Sequence, residues 1–252
     1  MPDQLDHLIE FERAAADFAA ALGWVDPAAA VPACPGWTVA DLALHLGSGQ
    51  RWAASILLSG TSQQVPQVLR TTISWSDWYS GTSAALAAAI RAVDPDESCW
   101  NFAPVDQRAG FWARRRLHET VIHLVDLVQA GVAAGEQVDT GLAVVPAALA
   151  ADGVDEVFEV FLPRMAARGF APAVTRQLGV RASDTGDEWT LTPVSQGIAP
   201  HVERGKAVGE AVLSGAAAEL ALCLWKRLPP AVLKVTGDPA VAAGFLTGRA
   251  TP

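Results

Sequence analysis

Apolar residues recur at helical spacing through the first two thirds of the chain. Between Asp3 and Leu22 they stand at Leu5, Leu8, Ile9, Phe11 and Phe18, which predicts an amphipathic helix stopped at Gly23. A turn-rich stretch, Val31-Pro32-Ala33-Cys34-Pro35-Gly36-Trp37, follows. Thr38 then opens a second helix. Asp41, three residues on, completes a capping box with a shorter acid than usual, and Gly60 ends the helix just past Leu58. A third helix is predicted over Trp75 to Val93, closed by Asp94-Pro95-Asp96, and a fourth over Gly110 to Ala130, with Gly131 after it. Shorter helices are predicted over Gly141 to Ala151 and Val154 to Ala167.

The pattern changes near Arg168-Gly169-Phe170-Ala171-Pro172. Runs with alternating or β-rich character follow at Gln177 to Ala182, Glu188 to Pro193 and Glu210 to Leu213, with Asp184-Thr185-Gly186-Asp187 as a hairpin turn between the first two. Ala216 to Arg227 reads as a helix, Val232 to Thr236 as a strand, and Pro239 to Leu246 as a helix with proline at its start. The expectation is an α+β chain of two domains. A helical bundle occupies 1–168 and a small α+β domain occupies 173–252.

Composition narrows the classes. With 51% hydrophobic and 18% charged residues, the chain can bury a core, which excludes wholesale disorder. The mean hydropathy of +0.24 raises the question of a membrane. The longest charge-free run, between Arg51 and Arg70, contains Ser55, Ser59, Gly60, Gln63, Gln64, Pro66 and Gln67, and is no bilayer span. The acidic start, with Asp3, Asp6 and Glu10, lacks the basic and apolar regions of a signal peptide, so a cytoplasmic location is expected. A net charge of −9 argues against a phosphate-backbone partner. Cys34, Cys99 and Cys223 are odd in number and widely spaced, which implies neither a disulfide framework nor a thiolate zinc site.

Chemistry concentrates on the second and fourth helices. His118 and His123 are five residues apart, about 140° around a helix, so they cannot face one ion as zincin histidines do. Glu119 and His123 are four apart and share a face. With His45 from the second helix they make two imidazoles and one carboxylate, a donor set for a divalent metal. A plain helical pair with a core histidine is the structural alternative. Asp126, three residues after His123, is placed to orient it, and His118 to stand at the rim. His7 and His201 read as surface residues, and Cys34 as a structural thiol. Arg51 and the Arg114-Arg115-Arg116 cluster flank the proposed ligands and suit a substrate carboxylate. Trp37 and Trp52 are the tryptophans expected to line a pocket.

The run Cys34-Pro35-Gly36-Trp37-Thr38-Val39-Ala40-Asp41-Leu42-Ala43-Leu44-His45-Leu46 resembles the opening signature of the mycothiol-dependent maleylpyruvate isomerase family, within the DinB-like metal-binding bundles. His118-Glu119-Thr120-Val121-Ile122-His123 with Asp126 resembles its second signature. Leu222 to Arg227, with Val235-Thr236-Gly237-Asp238, resembles its small C-terminal domain, which is similar to sterol-carrier folds. The resemblance implies a DinB-like four-helix bundle with His45, Glu119 and His123 on zinc, and mycothiol as thiol cofactor. Arg227 becomes a candidate contact to substrate carboxylate or thiol, alongside Arg51. Arg116, Trp37 and Trp52 are candidate cofactor contacts. Lys226 departs from the family, which usually has Gly before the Arg.

The activity implied is isomerisation of maleylpyruvate to fumarylpyruvate by thiol addition, bond rotation and expulsion of the thiol. The same site could instead join a thiol to an electrophile, as an S-transferase. A metal-stabilised ligand-binding module without catalysis is the non-enzymatic alternative. The partners expected are a small thiol and an electrophilic substrate, with no nucleic acid and no membrane.

Overall fold

The computed structural model describes residues 5–62, 73–104, 106–170, 172–195 and 197–252. The expected helix start at Asp3 and the far end of the charge-free run, Gln63 to Arg70, lie outside them. By its internal contacts the chain divides into two compact units. One comprises Met1–Asn101 with Val105–Val144, the other Phe102–Pro104 with Val145–Pro252.

The first unit is built from α1 (His7–Leu22), α2 (Val39–Ser59), α3 (Trp75–Ala92) and α4 (Gly110–Ala133). α1 packs on α3 and α4, and α2 packs on the same two, which closes a four-helix bundle. Each start has a local cause. The Asp6 carboxylate accepts from the Leu8 and Ile9 amides, and the Ser74 hydroxyl accepts from the Asp77 amide. At Thr38 the capping box is complete: the Asp41 amide donates to Thr38 Oγ1 at 3.2 Å and the Thr38 amide donates to Asp41 Oδ2 at 2.9 Å. Gly60 ends α2 in the left-handed conformation.

α4 is the central helix of the bundle. It buries apolar positions such as Trp112, Leu117, Leu124 and Leu127, as its amphipathic pattern requires. It also buries Arg115, Arg116, His118, Thr120, His123 and Asp126. Polar groups are rarely placed in a core without partners, so this helix is where a site is to be sought.

The second unit opens with α5 (Ala147–Glu156), which runs through a π-helical turn at Val157–Phe161 into α6 (Leu162–Ala167). Five strands follow: β1 (Leu178–Ala182), β2 (Glu188–Thr192), β3 (His201–Arg204), β4 (Ala211–Gly215) and β5 (Lys234–Gly237). They form one sheet in the order β3-β2-β1-β4-β5, in which only β1 and β4 run parallel. α7 (Ala217–Leu224) and α8 (Pro239–Thr247) complete the unit. Leu178, Val180 and Ala182 of β1, Trp189 and Leu191 of β2 and Leu213 of β4 point into one core with Val154, Phe158, Leu220 and Phe245 of the helices.

By internal contacts the division falls at Val144, because the apolar faces of α5 and α6 pack into the core of the sheet. One expectation is corrected here, and one strand was not foreseen. The two helices expected over 141–151 and 154–167 are a short 3₁₀ turn, Thr140–Ala143, and one continuous helical stretch from Ala147, through which Gly153 passes without a break. The strand β3, carrying His201, has no alternation to announce it: its residues are mostly exposed, as befits a charged edge strand.

Candidate metal centre

α2 presents His45 and α4 presents Glu119 and His123, and one potential ligand atom from each lies within 4.8 Å of the other two. His45 Nε2 is 3.2 Å from Glu119 Oε1. The His45 and His123 rings meet edge to face with centroids 5.2 Å apart. Two ligands each about 2.0–2.1 Å from a tetrahedral ion lie about 3.3 Å apart, so the His45–Glu119 separation already matches the edge of such a polyhedron. Two imidazoles and one carboxylate leave a fourth position open, the donor set of a catalytic divalent ion.

The groups around Glu119 and His123 hold these two in the protonation state a cation needs. Arg116 Nη1 donates to Glu119 Oε2 at 2.6 Å, and Arg115 Nε lies 3.5 Å from the same oxygen. Burial, the largest single influence, would raise the Glu119 carboxyl. The Arg116 charge, the His45 hydrogen bond and the charges of Arg115 and His123 outweigh it and hold Glu119 well below its usual range. At His123, burial dominates and lowers the imidazole against the opposing pull of Asp126. His123 is therefore neutral at pH 7. Its Nδ1 lies 2.9 Å from Asp126 Oδ2. A carboxylate can only accept, so Nδ1 carries the proton and Nε2 keeps its lone pair.

Arg116 is only 3% exposed. Its second amine donates to the Leu46 carbonyl of α2 at 3.0 Å. Gly49, one turn after His45 on α2, makes this possible: a Cβ there would sit 2.8 Å from Arg116 Nη1. A buried polar cluster lies between α2 and α3. Gln50 Nε2 donates to the Tyr79 hydroxyl at 2.7 Å, and Thr82 Oγ1 donates to Gln50 Oε1 at 2.9 Å. Burial pushes the Tyr79 hydroxyl far up, so it stays neutral.

The remaining sequence candidates make the following contacts. Trp37 joins the cluster, with its ring 4.9 Å from that of His45. Trp52, two turns beyond His45 on α2, packs edge-on against Trp100 at 5.8 Å and Trp112 at 5.2 Å instead. Arg51 is six residues from His45, about 120° around the helix, and does not share its face. Arg116 holds Glu119, where a cofactor contact was expected. Arg227 lies in the second unit, donating to the Trp225 carbonyl at 2.7 Å as a cap on α7. Lys226 before it stands in the left-handed region at φ 62°, the place where glycine is favoured, and its ammonium donates to the Leu246 carbonyl.

Sequence reasoning missed two neighbours. The Arg116–Glu119 pair was readable, since the residues are three apart on one helix. Cys34 was not: it stands 3.8 Å from Asp126 Oδ2 across 92 residues of sequence, and no local pattern marks that approach.

Residues 8–128 match the family model of the mycothiol maleylpyruvate isomerase N-terminal domain, and residues 148–244 match the model of that family's C-terminal domain. The solved structure of a mycothiol-dependent maleylpyruvate isomerase is similar over 92% of each chain, with a TM-score of 0.62 at 16% identity. A histidine-to-alanine variant of a mycothiol-dependent maleylpyruvate isomerase superposes with the same TM-score, 0.62, at 15% identity over 92% of each chain. At that identity the likeness shows a shared fold. No curated protein matches the sequence.

Proposed function

The chain belongs to the mycothiol maleylpyruvate isomerase family, and we propose that it is a zinc-dependent enzyme that uses mycothiol to isomerise maleylpyruvate to fumarylpyruvate. The convergence of His45, Glu119 and His123 carries this reading. His45, Glu119 and His123 would hold a divalent ion, which would supply the Lewis acidity that favours the thiolate of a small thiol, the nucleophile that cis-trans isomerisation of a double bond needs.

The chain's own residues prepare that chemistry. Glu119 offers Oε1 while Arg116 occupies Oε2, so the carboxylate stays ionised and fixed in rotamer. Asp126 accepts a hydrogen bond from the Nδ1–H of His123 and leaves Nε2 to ligate. The His45 side chain, 43% exposed, marks the open side by which small molecules reach the cluster. The Trp37 ring lies tilted beside it, with centroids 4.9 Å apart, and gives the cluster an apolar flank. Cys99 and Cys223 are buried and their thiols are pushed up, so neither offers a ready nucleophile.

Metal analysis and a thiol-dependent assay test the reading together. About one zinc per chain, lost in His123→Ala, with mycothiol-dependent conversion of maleylpyruvate to a product of unchanged mass, is the expected result. No change in substrate absorbance with mycothiol present overturns the isomerase. A product heavier by one thiol replaces it with the S-transferase.

A further inference from the structure

A second set of donors shares His123. Cys34 Sγ, at the turn before α2, lies 3.8 Å from Asp126 Oδ2, and the same oxygen lies 2.9 Å from His123 Nδ1. One potential ligand atom from each of Cys34, His123 and Asp126 falls within 4.8 Å of the other two. Around a tetrahedral ion with about 2.3 Å to sulfur and about 2.0–2.1 Å to nitrogen and oxygen, the sulfur–oxygen edge is about 3.5 Å and the nitrogen–oxygen edge about 3.3 Å. Both observed edges fall within half an ångström of these. Asp126 is fully buried and His123 nearly so, while Cys34 is only partly covered, which leaves one side of the set open.

We propose that Cys34, His123 and Asp126 form a second metal position, selective for thiophilic ions such as cadmium, that competes with the His45–Glu119–His123 group for His123. The selectivity follows from the thiol, which soft ions prefer and which the other group lacks. The competition follows from the tautomer of one neutral imidazole. To serve with His45 and Glu119, His123 keeps its proton on Nδ1, against Asp126, and ligates through Nε2. To serve with Cys34, it ligates through Nδ1 and carries its proton on Nε2. Uptake of the thiophilic ion releases the Cys34 thiol proton to solvent and moves the imidazole proton from one ring nitrogen to the other, so the ring remains neutral. The Cys34 position stands on its own geometry. The competition rests on the reading of His45, Glu119 and His123 as a metal site.

The test titrates the full chain, stripped by a chelator, with cadmium, and follows the ultraviolet thiolate-to-cadmium charge-transfer band. The expected band saturates at about one ion per chain, disappears in Cys34→Ser and persists in His45→Ala. Cadmium should also protect one thiol of the unsubstituted chain from alkylation, a readout that needs no variant. In zinc-loaded protein the band should grow in step with zinc release. Cadmium uptake without a thiolate band, or a band unchanged in Cys34→Ser, overturns the position. Cadmium bound while zinc stays in place overturns the competition. Failure of the unsubstituted chain to take up zinc overturns the functional reading and the competition, and leaves the cadmium band to decide the Cys34 position alone.

Discussion

Arg116 holds Glu119 from one turn back on α4, with Nη1 2.6 Å from Oε2, and reaches α2 through the Leu46 carbonyl at 3.0 Å. One guanidinium therefore fixes the carboxylate and ties together the two helices that carry the candidate ligands. Arg116→Met should leave a half-covered carboxylate without its main partner. Breaking a buried pair costs about 3–5 kcal/mol, and the partial exposure of Glu119 places this variant at the low end. Zinc affinity should fall by about 10–100-fold, the range seen when a ligand loses its supporting partner. Arg116→Lys should recover part of the affinity. Metal titration and thermal unfolding of the two variants check this.

Gly49→Ala separates positioning from stability. The new methyl would stand within 2.9 Å of both Arg116 amines, and the guanidinium must move. Alanine also favours a helix by about 1 kcal/mol over glycine. Zinc binding should weaken, and the melting temperature should fall by less than in Arg116→Met. An unchanged affinity would show that Arg116 does not position Glu119.

Acid should destabilise the metal-free protein in two stages. His123 is lowered from 6.5 in the folded state, so the unfolded chain takes its proton first. The stability from keeping His123 neutral is complete above about pH 6.5 and is lost as pH falls toward its lowered folded value. Glu119 is held well below 4.5, so its share is present above that pH and lost as pH falls further. Both signs agree: stability rises with pH. Denaturant unfolding from pH 7 downward should show the first decline, and His123→Gln should remove it.

The three cysteines should react unequally. Burial raises Cys99, and burial followed by the Glu219 charge pushes Cys223 up to about 11. Cys34 is only partly covered. Alkylation of the native metal-free protein at pH 8 should modify Cys34 first, with Cys99 and Cys223 following only on unfolding. Peptide mapping distinguishes them.

Local pattern was enough for the elements that carry their own signals. The capping box at Thr38 and Asp41, the left-handed stop at Gly60 and the shared face of Glu119 and His123 all rest on interactions within a turn or two of helix. The sequence could therefore place them without knowing the fold. It could not place the boundary at Val144, because α5 and α6 are amphipathic helices whatever they pack against, and only the sheet core shows what covers their apolar faces. The edge strand β3 escaped for the same reason: its pairing with β2 is a partner's property, not a pattern of its own residues. Within the site, spacing identified which residue types could ligate. Only the tertiary structure brought His45 against Glu119, let Arg116 reach the Leu46 carbonyl past the gap at Gly49, and carried Cys34 to Asp126. Those contacts join residues distant in sequence. They are decided by helix packing, which one strand of sequence does not record locally.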